Sequence, residues 1–315
     1  MKEENLIFII SLPRSGSTYL QNLLSNNDVV NTCSEPWILL NFINILKPSL
    51  VEATFDNELA IDAFKEYKNN FPEIDFEESN KQFLLSLYSP LIKNYDFIID
   101  KTPRYWEIIN EIRAFFPESK MIILKRNPLE VAKSIFKTWN ASTSEKMLPY
   151  YRDLILGPVT ISQFEESYSN NKNTYFVNYE SLIENQDVQI KELYRWLGIP
   201  FNKINLNTQN NNKFKGKYGD PFQNSAEGYH NAKKIAEQKK LNKVQIRFLK
   251  GYAQFLGKDF LQKYGDYNLE TIFFKRTISF SHYLHMKDHN FKNFHFSKRL
   301  FFVIKEKIYR ILEGF

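Results

Sequence analysis

The stretch SLPRSGST, Ser11 to Thr18, stands between an apolar run, Leu6 to Ile10, and a segment that continues YLQNLL. Strand, tight turn and helix in that order let backbone N–H groups at a helix N-terminus surround an anion. A triphosphate loop reads GxxxxGK[ST]; on that pattern Ser11 stands for the first glycine and Ser17 for the lysine, and only Gly16 and Thr18 fit. Without the lysine that reaches the outer phosphates, the loop is a poor triphosphate site. A cation returns three positions earlier, at Arg14, so the charge is displaced rather than lost. The plain alternative is an ordinary strand-to-helix turn with a chance arginine.

The elements that must hold such a loop are visible as further apolar runs of strand length: Asp28 to Cys33, Asp96 to Asp100, Lys120 to Leu124 and Thr174 to Asn178. Segments with helical spacing separate them, as in a parallel sheet with helices on its faces. NPLEVAKSIFKTW opens with a capping Asn127 and a first-turn Pro128, then places Val131, Ile135 and Phe136 on one face. VQIKELYRWLG does the same with Ile190, Leu193, Tyr194 and Leu197, and Gly198 is its stop. More than sixty residues separate the second and third runs, helix-like over Ile38 to Leu46 and Gln82 to Ile92. An insertion at about 36–95 is too large for a plain crossover and is expected to wall a substrate pocket. The Asn-rich 205–220 has no period and reads as a mobile loop.

A length of 315 residues accommodates a sizeable core. A net charge of +6 suits anionic ligands, while the even spread of charge argues against a nucleic-acid arm. Cys33 is the only cysteine, which excludes an intrachain disulfide and favours a reducing, cytoplasmic setting. The polar MKEEN opening leads directly into the first strand, with no signal peptide or membrane anchor expected.

Taken together, PRSGST after the first strand, LKRNPLEVAKS after the fourth, NYESL after the fifth, and SEPW and DKTP between them resemble the sulfotransferases that use 3′-phosphoadenosine 5′-phosphosulfate (PAPS). The resemblance covers roughly residues 5–230. It implies a P-loop-type α/β fold of three layers, with a parallel sheet of four to five strands, the first central. By likeness to nucleotide kinases the strand order should run 2-3-1-4, with both phosphate sites on the carboxyl edge. The α/β domain would occupy 1–270 and a basic, aromatic, helical extension 271–315.

The same resemblance implies roles. Ser15, Gly16, Ser17 and Thr18 would hold the 5′-phosphate of PAPS, and Arg14 would meet the bridging oxygen where charge develops. Lys101, in DKTP, is similar in placement to a lysine that helps the leaving group. Arg126 and Ser134 match the pair that grips the 3′-phosphate. Tyr19 and Tyr179 match aromatic positions near the adenine, with plain core packing as the alternative for each. Many cytosolic relatives place a histidine base two positions after the lysine, but here Pro103 stands there and the first histidine is His230. Glu35, in SEPW, resembles the glutamate base of the tyrosylprotein branch. Its alternative is a helix cap or ion-pair residue. No metal is implied.

The C-terminal segment carries nine Lys or Arg between Lys275 and Arg310 against Asp288, Glu306 and Glu313, with His282, His285, His289 and His295. The histidine spacing resembles a metal comb but lacks Cys or carboxylate ligands. Phe301, Ile304, Ile308 and Ile311 share a helical face. That face suits peripheral contact with the inner membrane face or, more commonly, docking on the chain's own domain or a second subunit. The reading is a PAPS-dependent sulfotransferase acting on a hydroxyl of a carbohydrate, glycolipid or small metabolite. Trp37, Trp106 and Trp139 are candidates to stack on a sugar. A small-molecule P-loop kinase and a catalytically silent nucleotide-binding protein are the alternatives.

Overall fold

The computed structural model describes residues 1–201 apart from Glu52 and Thr54, then Lys213, then 240–265. The Asn-rich stretch, Lys213 excepted, and the extension 271–315 with its histidines lie outside the described residues.

Five strands, β1 (Leu6–Ser11), β2 (Val30–Thr32), β3 (Phe97–Lys101), β4 (Lys120–Lys125) and β5 (Thr174–Asn178), form one sheet in the order β2-β3-β1-β4-β5. Every pairing is parallel. The expected order and the central first strand are therefore both present. All of β1 is buried, because each face of a central parallel strand meets helices. Ile7 and Ile9 share a core with Leu20, Leu24, Leu193 and Tyr194. Phe8 belongs to the other face, its ring 6.2 Å from Tyr105 and 5.7 Å from Phe116. Each such aliphatic side chain stabilises the fold by roughly 1.5–3 kcal/mol.

Register decides where the functional loops stand. Ile9 is level with Lys101, Ser11 with Leu124, and Lys125 with Asn178. The carboxyl ends of β3, β1, β4 and β5 thus share one edge, and the loops after them start together.

The helices are α1 (Ser17–Ser25), α2 (Ile38–Asn41), α3 (Ile43–Leu46), α4 (Asn57–Asn70), α5 (Phe76–Ile92), α6 (Ile109–Phe115), α7 (Pro128–Thr138), α8 (Ser144–Met147), α9 (Tyr151–Tyr168), α10 (Tyr179–Glu184) and α11 (Gln186–Leu197). Lys243–Leu256 and Lys258–Gly265 follow as further helices. Two features of the insertion differ from expectation. α5 begins at Phe76 rather than Gln82, where the Asp75 carboxylate accepts from the Glu78 N–H at 2.8 Å. α4 was not foreseen at all: it is capped by Asp56 but buries no residue, so it has no core-facing stripe to read.

The chain divides into two compact units, Met1–Arg126 with Gly157–His230, and Asn127–Leu156 with Asn231–Phe315. The first holds the whole sheet. In the second, Asn127 caps α7 by accepting from Leu129 N–H at 2.9 Å, and Phe136 packs edge-on against Phe248 at 5.2 Å. Among the described residues no helix is long and apolar enough to cross a membrane. Among them, too, no cluster of three or more His, Cys, Asp or Glu could hold a metal.

Candidate active site

The loop after β1 turns twice through left-handed backbone, at Arg14 (φ 69°) and Gly16 (φ 89°). For a side chain such as Arg14 that conformation costs about 1–2 kcal/mol, so the surroundings must hold it. Between the two, Ser15 N–H donates to Leu12 C=O at 3.2 Å. The Ser15 hydroxyl is buried with no hydrogen-bond partner. An unsatisfied buried hydroxyl costs roughly 1–3 kcal/mol and is a reason to look for a ligand. Ser17 and Thr18 open α1 and are buried. Glycine is required at 16 for two reasons: its φ, and a Cβ there would lie 2.2 Å from Cε2 of Tyr179.

Tyr179 joins this loop to the one after β4. The Arg126 guanidinium lies 4.4 Å from the centre of the Tyr179 ring, and its Nη1 donates to Arg14 C=O at 3.0 Å. Arg126 is half-buried, not a surface residue, and its Nε is buried without a partner. Arg14, Gly16, Arg126 and Tyr179 are therefore brought together. Tyr19, in the first turn of α1, packs against the same core as Tyr179, and its hydroxyl bonds the Gln186 side chain. Ser134 lies on α7, in the second unit, and is half-buried.

Lys101, the last residue of β3, is 1% exposed, so it is no surface lysine. Its Nζ lies 2.7 Å from Glu35 Oε1, and the Trp37 indole N–H donates to Glu35 Oε2 at 3.3 Å. Glu35 does not cap α2; Trp37 holds that position, in left-handed backbone at φ 53°. Such a pair gains from its short distance and loses from desolvation, which makes it a poor device for stability alone. The Trp106 ring is core, 2% exposed, whereas Trp37 is half-buried and Trp139 is exposed and stacked on Tyr150.

Sequence reasoning missed the residue next to Lys101. Asp100 is fully buried, and its carboxylate accepts from Tyr88 at 2.7 Å, Tyr105 at 2.9 Å and Thr102 at 3.0 Å. Burial pushes its acid up to about 6 against the lowering effect of those donors. Burial, with Asp100 close by, also pushes the Cys33 thiol up to about 12, so Cys33 is not a thiolate nucleophile at neutral pH. An acidic residue ending an apolar run was the available signal. The pairing of Lys125 with Glu165, at 2.7 Å to either carboxylate oxygen, was likewise not foreseen.

The profile of the sulfotransferase family matches residues 6–203. Nodulation protein NoeE of Sinorhizobium fredii (strain NBRC 101917 / NGR234) is 25% identical over 231 residues, which take in 61% of this chain and 50% of that protein. An uncharacterized protein of Aquifex aeolicus (strain VF5) is 27% identical over 131 residues, 42% of this chain and 17% of that one. The chain thus spans about half the length of the first of these relatives and less of the second. Among solved structures, the sulfotransferase domain from the curacin biosynthetic pathway is similar at 20% identity and a TM-score of 0.43, covering 76% of this chain and 94% of that one. Mouse sulfotransferase SULT7A1, solved in complex with PAP, is similar at 19% identity and a TM-score of 0.36, covering 79% and 90%. The family profile begins at the first residue of β1 and runs past the end of α11, and the chain belongs to the sulfotransferase family.

Proposed function

We propose that the chain moves a sulfuryl group from PAPS to the hydroxyl of an acceptor, in line, with Glu35 as the base. The observation that carries this reading is the Lys101–Glu35 pair, 2.7 Å apart at the same sheet edge as the anion loop. The residues present also fit the donor. Ser15 Oγ and Arg126 Nε are buried, unsatisfied donors on the loops after β1 and β4, and a ligand with two separate phosphates would satisfy both.

PAPS supplies the sulfuryl group, and its bisphosphate product, PAP, leaves with the electrons of the broken S–O bond. In this reading Ser15, Gly16, Ser17 and Thr18 hold the 5′-phosphate through hydroxyl and first-turn N–H donors. Arg14 faces the bridging oxygen. Lys101 has three N–H donors; one stays on Glu35 and another serves that oxygen. Losing one such donor typically costs ~3–4 kcal/mol of barrier. Arg126, with Ser134 eight residues further along, takes the 3′-phosphate, and Tyr179 and Tyr19 belong to the adenine side. As the acceptor oxygen bonds to sulfur, Glu35 Oε takes its proton. The acceptor is a carbohydrate, glycolipid or small metabolite, walled by the insertion 36–95, with Trp37 the indole for stacking on it. No metal takes part. Composition supports action in the cytoplasm, with the segment 271–315 reaching the inner membrane face or a second subunit.

Family membership, with the missing Walker lysine, argues against the kinase alternative. Thermal shift tests the donor: PAP at a hundred times its Kd should stabilise the chain by about 2.7 kcal/mol, and ATP should not. Equal stabilisation by ATP would overturn the PAPS reading. Binding of PAP with no turnover on any acceptor would favour the silent nucleotide-binding protein.

A further inference from the structure

Glu35 sits at the start of a strained turn. Pro36 has a fixed φ, and Trp37 is held in left-handed backbone at φ 53°. A side chain in that region persists only where its surroundings over-determine it. On the near side the Lys101–Glu35 pair does this, at 2.7 Å. On the far side the tie is Leu39, the second residue of α2. Its N–H is one of the first-turn donors that a helix cannot satisfy internally, and Trp37, at the cap position, makes no side-chain cap bond. The Tyr105 hydroxyl takes that place, accepting from Leu39 N–H at 3.0 Å.

A phenol has one hydrogen, and Tyr105 gives it to Asp100 Oδ2 at 2.9 Å. Its lone pair is thereby aimed at Leu39. Asp100 in turn is fixed by Tyr88 and Thr102 and is fully buried. Asp100 and Lys101 are consecutive residues of β3, whose side chains leave opposite faces of the strand. One therefore holds Glu35 directly, and its neighbour holds, through Tyr105, the residue four positions beyond.

We propose that Asp100 and Tyr105 are positioning residues for Glu35, acting through the Leu39 amide as an external cap that fixes the Glu35–Leu39 turn. The proposal rests on the reading of Glu35 as the base, but its first test does not need turnover. Trp37 donates to Glu35, so its indole N–H reports the turn. Indole spectra of the full ¹⁵N-labelled chain, with Trp37 assigned by Trp37→Phe, are compared for wild type, Tyr105→Phe and Tyr88→Phe. Tyr105→Phe should shift or broaden the Trp37 signal while Trp139 and Trp196 stay in place. Tyr88→Phe removes a second donor from the same carboxylate but leaves the Tyr105 hydroxyl to accept from Leu39 N–H, and should move Trp37 less than Tyr105→Phe does. On an acceptor that wild type sulfates, Tyr105→Phe should lose about tenfold or more in kcat with PAP affinity within twofold, and Tyr88→Phe should lose less. A folded Tyr105→Phe with an unmoved Trp37 signal overturns the proposal, as does equal movement in both variants. A moved signal with unchanged kcat upholds the cap and instead removes Glu35 as the base. Should Tyr105→Phe not fold, hydrogen exchange in wild type decides: protection of Leu39 N–H at the level of the β1 amides supports the tie, and exchange near the unprotected rate overturns it.

Discussion

Glu35 and Lys101 hold each other at 2.7 Å, so any test of either must separate chemistry from pairing. Glu35→Gln does so, because the amide still offers Lys101 an oxygen but has little basicity. Turnover should fall by roughly 10²–10⁴ while PAP affinity and folding persist, and the pH-profile limb that reports the base should vanish. Activity within a few-fold of wild type would place the base elsewhere, and an unfolded variant would make Glu35 the structural partner of a buried lysine. Arg126 is tested by ligand pairs. Arg126→Ala should cost PAP about 1.5–3 kcal/mol of binding, read by calorimetry, and cost an analogue lacking the 3′-phosphate far less. Equal losses would remove it from the 3′ site. The loop residues and Lys101 were legible because short-range order sets them: a strand, a turn, a helix start. The Asp100 network was not, since Tyr88 and Tyr105 reach Asp100 from separate elements and only packing brings them together.

At the scale of elements, local signals and tertiary burial had unequal reach. α7 could be read from Asn127, Pro128 and three apolar residues, all of which do their expected work: Asn127 caps, and Val131, Ile135 and Phe136 are buried. Asn127→Ala should lower stability by about 1 kcal/mol in urea denaturation, with the slope unchanged; no loss would mean the helix start is held otherwise. β2 shrank to three residues from the six of its apolar run, because it pairs only with β3 at the sheet edge. α4 escaped notice since Leu59, Phe64 and Tyr67 stay exposed, so its apolar positions trace no buried stripe.

At the scale of the whole molecule, parallel strands level at one edge are what bring Arg14, Lys101, Arg126 and Tyr179 to the same side of the sheet. The sheet's interior also carries a charge that titrates. In the fold Asp100 is pushed up to about 6, above the unfolded value of about 3.9. Between those values the folded chain binds the proton more tightly than the unfolded chain, so stability falls as pH rises from about 4 to 6 and is level above. Relative to Asp100→Asn, wild type should lose stability over that window in denaturant titrations at a series of pH values. A difference that does not vary with pH would show that Asp100 is not the group responsible. The claim on which the rest depends is sulfuryl transfer from PAPS, and mass spectrometry of the wild-type chain incubated with PAPS and a panel of glycans, glycolipids and phenols tests it most directly. The expected result is one acceptor class that gains a single sulfuryl group in step with PAP release; PAP formation with no acceptor modified, or no PAP at all from a chain that binds it, would contradict it.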